Sequence, residues 1–162
     1  MKIKLHFAVA AFLFVGIVVN AQDKYWKKSK LSATSKVAAL KNLKHDRYHV
    51  FTLDLNAFKV QLSNAPMRSG TTTRSMPVVS FPNQKGKLER FRIVEAPVLS
   101  PEMALKHPNI KTYLGFGMDS PGARVRFSIT PQGLQTMTSY LDKPNVFTVP
   151  VEKGDTGEYI TL

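Results

Sequence analysis

The sequence predicts a mainly β protein of the α+β kind. It reads as an antiparallel sheet domain, sandwich-like or a partly open barrel, with short helical inserts and a weakly ordered N-terminal segment. Apolar and polar residues alternate in runs such as Ala123 to Ile129, "ARVRFSI", the two-residue period of a strand with one buried face. Turn signals such as "NQKGK" and "TPQG" separate those runs, as antiparallel neighbours require. Helix signals are brief wherever they occur.

The elements follow in chain order. Lys2 and Lys4 precede an apolar run from Leu5 to Val19 that ends in "VNAQ". This is the pattern of a secretory signal peptide, residues 1–21, cut between Ala21 and Gln22 and sending the product to the periplasm or outside the cell. The run is too short and too well followed by a cleavage site to favour an anchor. Residues 22–47 are rich in lysine and serine and read as a flexible or weakly helical lead-in, with Val37, Ala38, Leu40 and Leu43 able to share a face. From residue 48 to 162 the texture is that of a β domain. "YHVFTLDL" favours a strand, and Asp54 can cap a helix from Leu55 to about Leu62. "APMRSGTTTRS" is a polar loop. "PVVSFP", a turn with Gly86 free to take a positive φ, and "LERFRIVEAPV" form a strand pair; Phe91 and Ile93 take one face, Arg90 and Arg92 the other. Ser100 followed by Pro101 starts a helix, and Pro108 stops it. "IKTYLGFG", "ARVRFSI", "LQTMTSYL" and "NVFTVPV" complete the strands. In the second of these Val125, Phe127 and Ile129 point inward, while Arg124, Arg126 and Ser128 point out.

Charge and cysteine content narrow the chemistry. The chain carries 23 Lys and Arg against 11 Asp and Glu. Loss of residues 1–21 removes Lys2 and Lys4, so 21 basic residues against 11 acidic ones leave +10. Such a charge suits an acidic partner or an anionic surface without choosing between them. There is no cysteine, which excludes disulfides and thiolate metal sites and leaves stability to a packed core. What remains after residue 21 is enough for one core and short for two.

No catalytic set is complete. "HDRYH", His45 to His49, approaches the zinc-peptidase H-E-x-x-H, but Asp46 is a methylene short and His49 opens a strand, where an i, i+4 pair does not converge. No serine lies in G-x-S-x-G. "GFGMDS", Gly115 to Ser120, is half of a dinucleotide loop and is followed by a strand. Glu89, Glu95 and Glu102 are available carboxylates with nothing to show convergence. Arg90 with Arg92, and Arg124 with Arg126, form a basic stripe if their strands are neighbours, with Tyr113 or Phe116 near. The stripe is either a solvated sheet face or a surface for a partner.

"LDLNAFKVQLSNAPMR" and the stretch from Val78 to Met137 carry a resemblance. "SFPN…GKLERF" (Ser80 to Phe91), Glu95 to Glu102, "HPNIKTY" (His107 to Tyr113) and "FSITPQG" (Phe127 to Gly133) are similar to the N-terminal pro-region of secreted reprolysin-like zinc metalloproteases of Bacteroidetes and flavobacteria. The similarity spans about residues 48–150. It implies a non-catalytic domain that helps fold or inhibits a metzincin-type catalytic domain bearing H-E-x-x-H-x-x-G-x-x-H, so that zinc belongs to that domain and no cofactor to this chain. The sequence stops at "GEYITL" before such a helix, which implies a chain truncated at its C-terminus, with its partner in cis. Without a thiol, inhibition has to come from filling the cleft or from a carboxylate on zinc, for which Asp119 is the candidate. Arg90, Arg92, Arg124 and Arg126 are the candidate docking residues, with neither nucleic acid nor stable membrane insertion expected. The alternatives are a free-standing cationic β module for an anionic polysaccharide or membrane surface, an enzyme of another kind, and a truncated gene product that does nothing alone.

Overall fold

The computed structural model describes residues 24–31, 48–69 and 75–162. Along the chain run β1 (Trp26–Ser29), β2 (His49–Leu53), α1 (Leu55–Leu62), β3 (Val78–Pro82), β4 (Leu88–Glu95), α2 (Pro101–Lys106), β5 (Lys111–Gly117), β6 (Arg124–Thr130), β7 (Gly133–Ser139), β8 (Val146–Pro150) and β9 (Glu158–Thr161). They form one antiparallel nine-stranded sheet in the order β1-β2-β9-β8-β7-β6-β5-β4-β3. From β3 to β9 each strand pairs with the next, the arrangement that short turns favour. β9 then pairs back onto β2, Val50 opposite Ile160, and the sheet curls into a nearly closed barrel. The mainly β antiparallel expectation holds, in its partly open barrel form.

Side chains join the two edge strands where backbone ladders do not. The indole Nε1–H of Trp26 donates to the Ser80 carbonyl of β3 at 2.8 Å, and Trp26 is only 2% exposed. His49 Nε2 lies 3.1 Å from the Gln84 carbonyl in the β3–β4 turn. Such a seam occupies the polar groups of an edge that would otherwise invite pairing. Gly86, in the same turn, has φ +66° and would push a Cβ to 2.8 Å from the His49 ring, so the turn needs both the left-handed backbone and the missing side chain.

The interior is aromatic. Asp54 caps α1 by accepting from the Ala57 amide at 3.0 Å, and Leu55, Phe58 and Leu62, spaced three and four apart, are buried. Phe58 presents its edge to Trp26, Phe81 and Phe127, with centroids at 6.4, 5.7 and 6.1 Å. Tyr113 stacks on Phe127 at 4.9 Å. α1 therefore plugs the sheet instead of lying outside it. α2 begins as the sequence predicts, Ser100 accepting from the Met103 amide with Pro101 in the first turn, but it buries no residue.

One expectation needs correcting. Residues 22–47 read as a flexible or weakly helical lead-in, yet Trp26–Ser29 is a strand paired with β2, Trp26 opposite Leu53. Burying one large indole and completing a ladder outweighs the lysine-rich local composition. The helix-like patch at Val37 to Leu43 and the signal-peptide segment 1–21 lie outside the described residues.

Candidate functional site

The two-residue period sorts β4 to β8 into an inner and an outer set. Phe91, Ile93, Val125, Phe127 and Ile129 are buried inside. Outward on β4 stand Arg90 and Arg92, on β6 Arg124 and Arg126. The register fixes their spacing: Arg92 opposes Phe116 of β5, and Phe116 opposes Arg124 of β6. The Arg124 guanidinium sits 4.9 Å from the Phe116 ring centroid, a cation–π contact at the surface. One row along, Leu114 opposes Arg126, which opposes Met137, which opposes Phe147 of β8. Leu114 is 5% exposed, and an arginine stem beside it is the kind of cover that keeps such a residue from water.

Thus Arg92, Arg124 and Arg126 share one face. Arg90 belongs to the same outward set but is engaged. Its amide donates to Asp119 Oδ2 at 2.7 Å, and its guanidinium forms an ion pair with the same carboxylate. Asp119, from the turn between β5 and β6, is held below the usual carboxylate range, first by the Arg90 side-chain hydrogen bond. A metal seeking Asp119 has to displace Arg90. Beyond this pair, no Asp or Glu occupies an outward position on β4 to β8. Among the described residues neither Arg92 nor Arg126 lies within salt-bridge distance of a carboxylate.

The carboxylates singled out from the sequence are dispersed. Glu89 accepts from Asn83 Nδ2 and from the Tyr140 hydroxyl, both at 2.8 Å. Glu95 pairs with Lys111 at 3.0 Å, and Glu102 with Lys106 at 2.8 Å. Burial, and then Glu89, push the Tyr140 hydroxyl well above its ordinary value. Burial, and then the charge of Glu95, push Tyr113 up to about 12. Of "HDRYH", only Tyr48 and His49 are described, and His49 points at the seam. Among the described residues no three His, Asp or Glu side chains come close enough to hold a metal. Nor is any described helix long and apolar enough to cross a membrane.

Tyr113 is inside, against Phe127, and unavailable for stacking on a ligand; Phe116 is on the outer face. Sequence reasoning named Phe116 beside the arginines but missed the apolar groove next to Arg126. A groove of about 360 Å³ runs between residues 96–98 and the outer face of β5 to β8, lined by Val98, Arg126, Met137, Phe147 and Val149 among others. Phe147 was legible in principle, because Val146 and Thr148 on either side of it are buried and it must then point out. Comparison of this chain with protein-family models, characterised proteins and solved structures finds no match.

Proposed function

We propose that this chain is a propeptide-like, non-catalytic domain that docks on a secreted zinc metalloprotease catalytic domain, assisting its folding and restraining it. The outer face of β4 to β6 carries the reading. Arg92 and Arg124 flank Phe116, Arg126 stands a row away, and no outward carboxylate balances them. A cationic face with half-buried Phe116 between its arginines and exposed Phe147 and Val98 to one side suits an acidic protein surface, where charge sets encounter and orientation and apolar contact holds the complex. The resemblance of Ser80 to Phe91, Glu95 to Glu102, His107 to Tyr113 and Phe127 to Gly133 to metzincin pro-regions supplies the partner class. The dispersed carboxylates, each bound to its own neighbour, are consistent with a role in structure. The reading is tested by following the reading frame past Leu162. A frame that continues into H-E-x-x-H-x-x-G-x-x-H supports it; a stop with no such domain encoded beside it removes the partner.

The same face also fits the reading as a free-standing cationic module. Retention on heparin or on anionic vesicles, lost with salt and unaccompanied by any protease binding, would favour that alternative.

A further inference from the structure

Resting on the partner-docking reading of this face, we infer that the groove beside β6 receives an extended acidic segment of the protein partner, of the pattern Glu-x-Glu-x-Leu. Arg124, Arg126 and Ser128 are successive outward positions on β6, and along a strand such positions repeat at about 6.6–6.8 Å. Same-side residues of an extended peptide repeat at the same pitch. Two carboxylates separated by one residue therefore match Arg124 and Arg126, whose guanidinium groups suit carboxylates geometrically. The next same-side residue falls over Ser128, at the mouth of the groove that Val98, Met137, Phe147 and Val149 line. Val98 is 72% and Phe147 43% exposed, so an apolar side chain seated there removes surface from water on both sides. Charge complementarity selects the occupant: a basic or neutral segment gains nothing from the arginines, and the carboxylate on this side, Asp119, is already paired with Arg90.

The test uses the purified protein and a fluorescein-labelled peptide containing Glu-x-Glu-x-Leu, read by anisotropy. The inference expects saturable binding at least about tenfold tighter than that of the Lys-x-Lys-x-Leu peptide. It expects Arg126→Glu and Phe147→Ser each to weaken binding about tenfold or more, and replacing the peptide's leucine by serine to weaken it too. Lys27→Glu, the same charge change at an exposed position of β1, should leave binding within about twofold. Equal losses from Arg126→Glu and Lys27→Glu would overturn the inference, because net charge alone would then explain the binding. So would binding to phosphatidylglycerol vesicles or heparin with none to the peptide. Because no protease enters this assay, intact peptide binding alongside failure to bind a metzincin domain counts against the pro-region reading alone. Protease binding unaffected by Arg126→Glu and Phe147→Ser counts against the groove alone.

Discussion

Trp26 contributes twice at the seam, as a buried ring against Phe51, Phe58 and Tyr159 and as the donor to Ser80. Trp26→Ala should cost ~3–5 kcal/mol, as large-to-small core changes do. Trp26→Phe, keeping much of the packing and losing the donor, should cost ~1–2 kcal/mol; urea unfolding followed by circular dichroism measures both. Asp119 gives an acid signature. Its folded value lies below its unfolded one, so its contribution is complete above about pH 5 and is lost as pH falls through the folded value. Asp119→Asn should thus be less stable than the parent at pH 7, and the gap should narrow toward pH 2 in parallel melts. The tyrosines give the alkaline counterpart. Tyr113, Tyr140 and Tyr159 are all raised, burial being the first cause in each. A raised value means stability intact below about pH 10 and declining as pH rises through the folded-state range. Ultraviolet titration should therefore show part of the tyrosine absorbance appearing late, together with unfolding; complete titration near pH 10 without unfolding would contradict the buried placement.

Among the elements, β5 and α1 set the tightest constraints. Gly115 of β5 faces Val125 and Ile93, and a Cβ there would lie 2.5 and 2.7 Å from their methyl carbons. Gly115→Ala should destabilise by ~1–3 kcal/mol through overpacking, and Phe58→Ala in α1 by ~3–5 kcal/mol through the cavity it leaves. Denaturant midpoints check both. Most elements were legible because local signals agree with the tertiary outcome. Alternation marks β4 and β6, Asp54 and Ser100–Pro101 mark the helix starts, and Gly86 marks its turn. β1 was not legible: three of its residues are "KKS", and only pairing with β2 and the cavity for Trp26 make it a strand. The arginines were legible as pairs on alternating strands. Their convergence was not, because it depends on β5 inserting Phe116 between β4 and β6, a matter of sheet order. The groove was hidden for the same reason, since Val98 lies far in sequence from Met137 and Phe147.

At the scale of the whole molecule, the sheet turns one arginine-bearing face outward and closes its other face over an aromatic interior. The proposed docking role would need that combination, a rigid frame and an unbalanced surface. The excess charge, +12 over the full sequence, would make encounter with the proposed acidic partner fast at low salt and slower as salt rises. The measurement that tests the proposed role most directly is a titration of a metzincin catalytic domain, the proposed partner, with this protein. Residual peptidase activity and refolding yield are read against added protein at low and high salt. The account expects stoichiometric inhibition or improved refolding, weakened by salt and lost in Arg92→Glu/Arg124→Glu/Arg126→Glu while that variant keeps the parent's unfolding midpoint. Activity and refolding that ignore the added protein, or an effect unchanged in the triple variant, would contradict it.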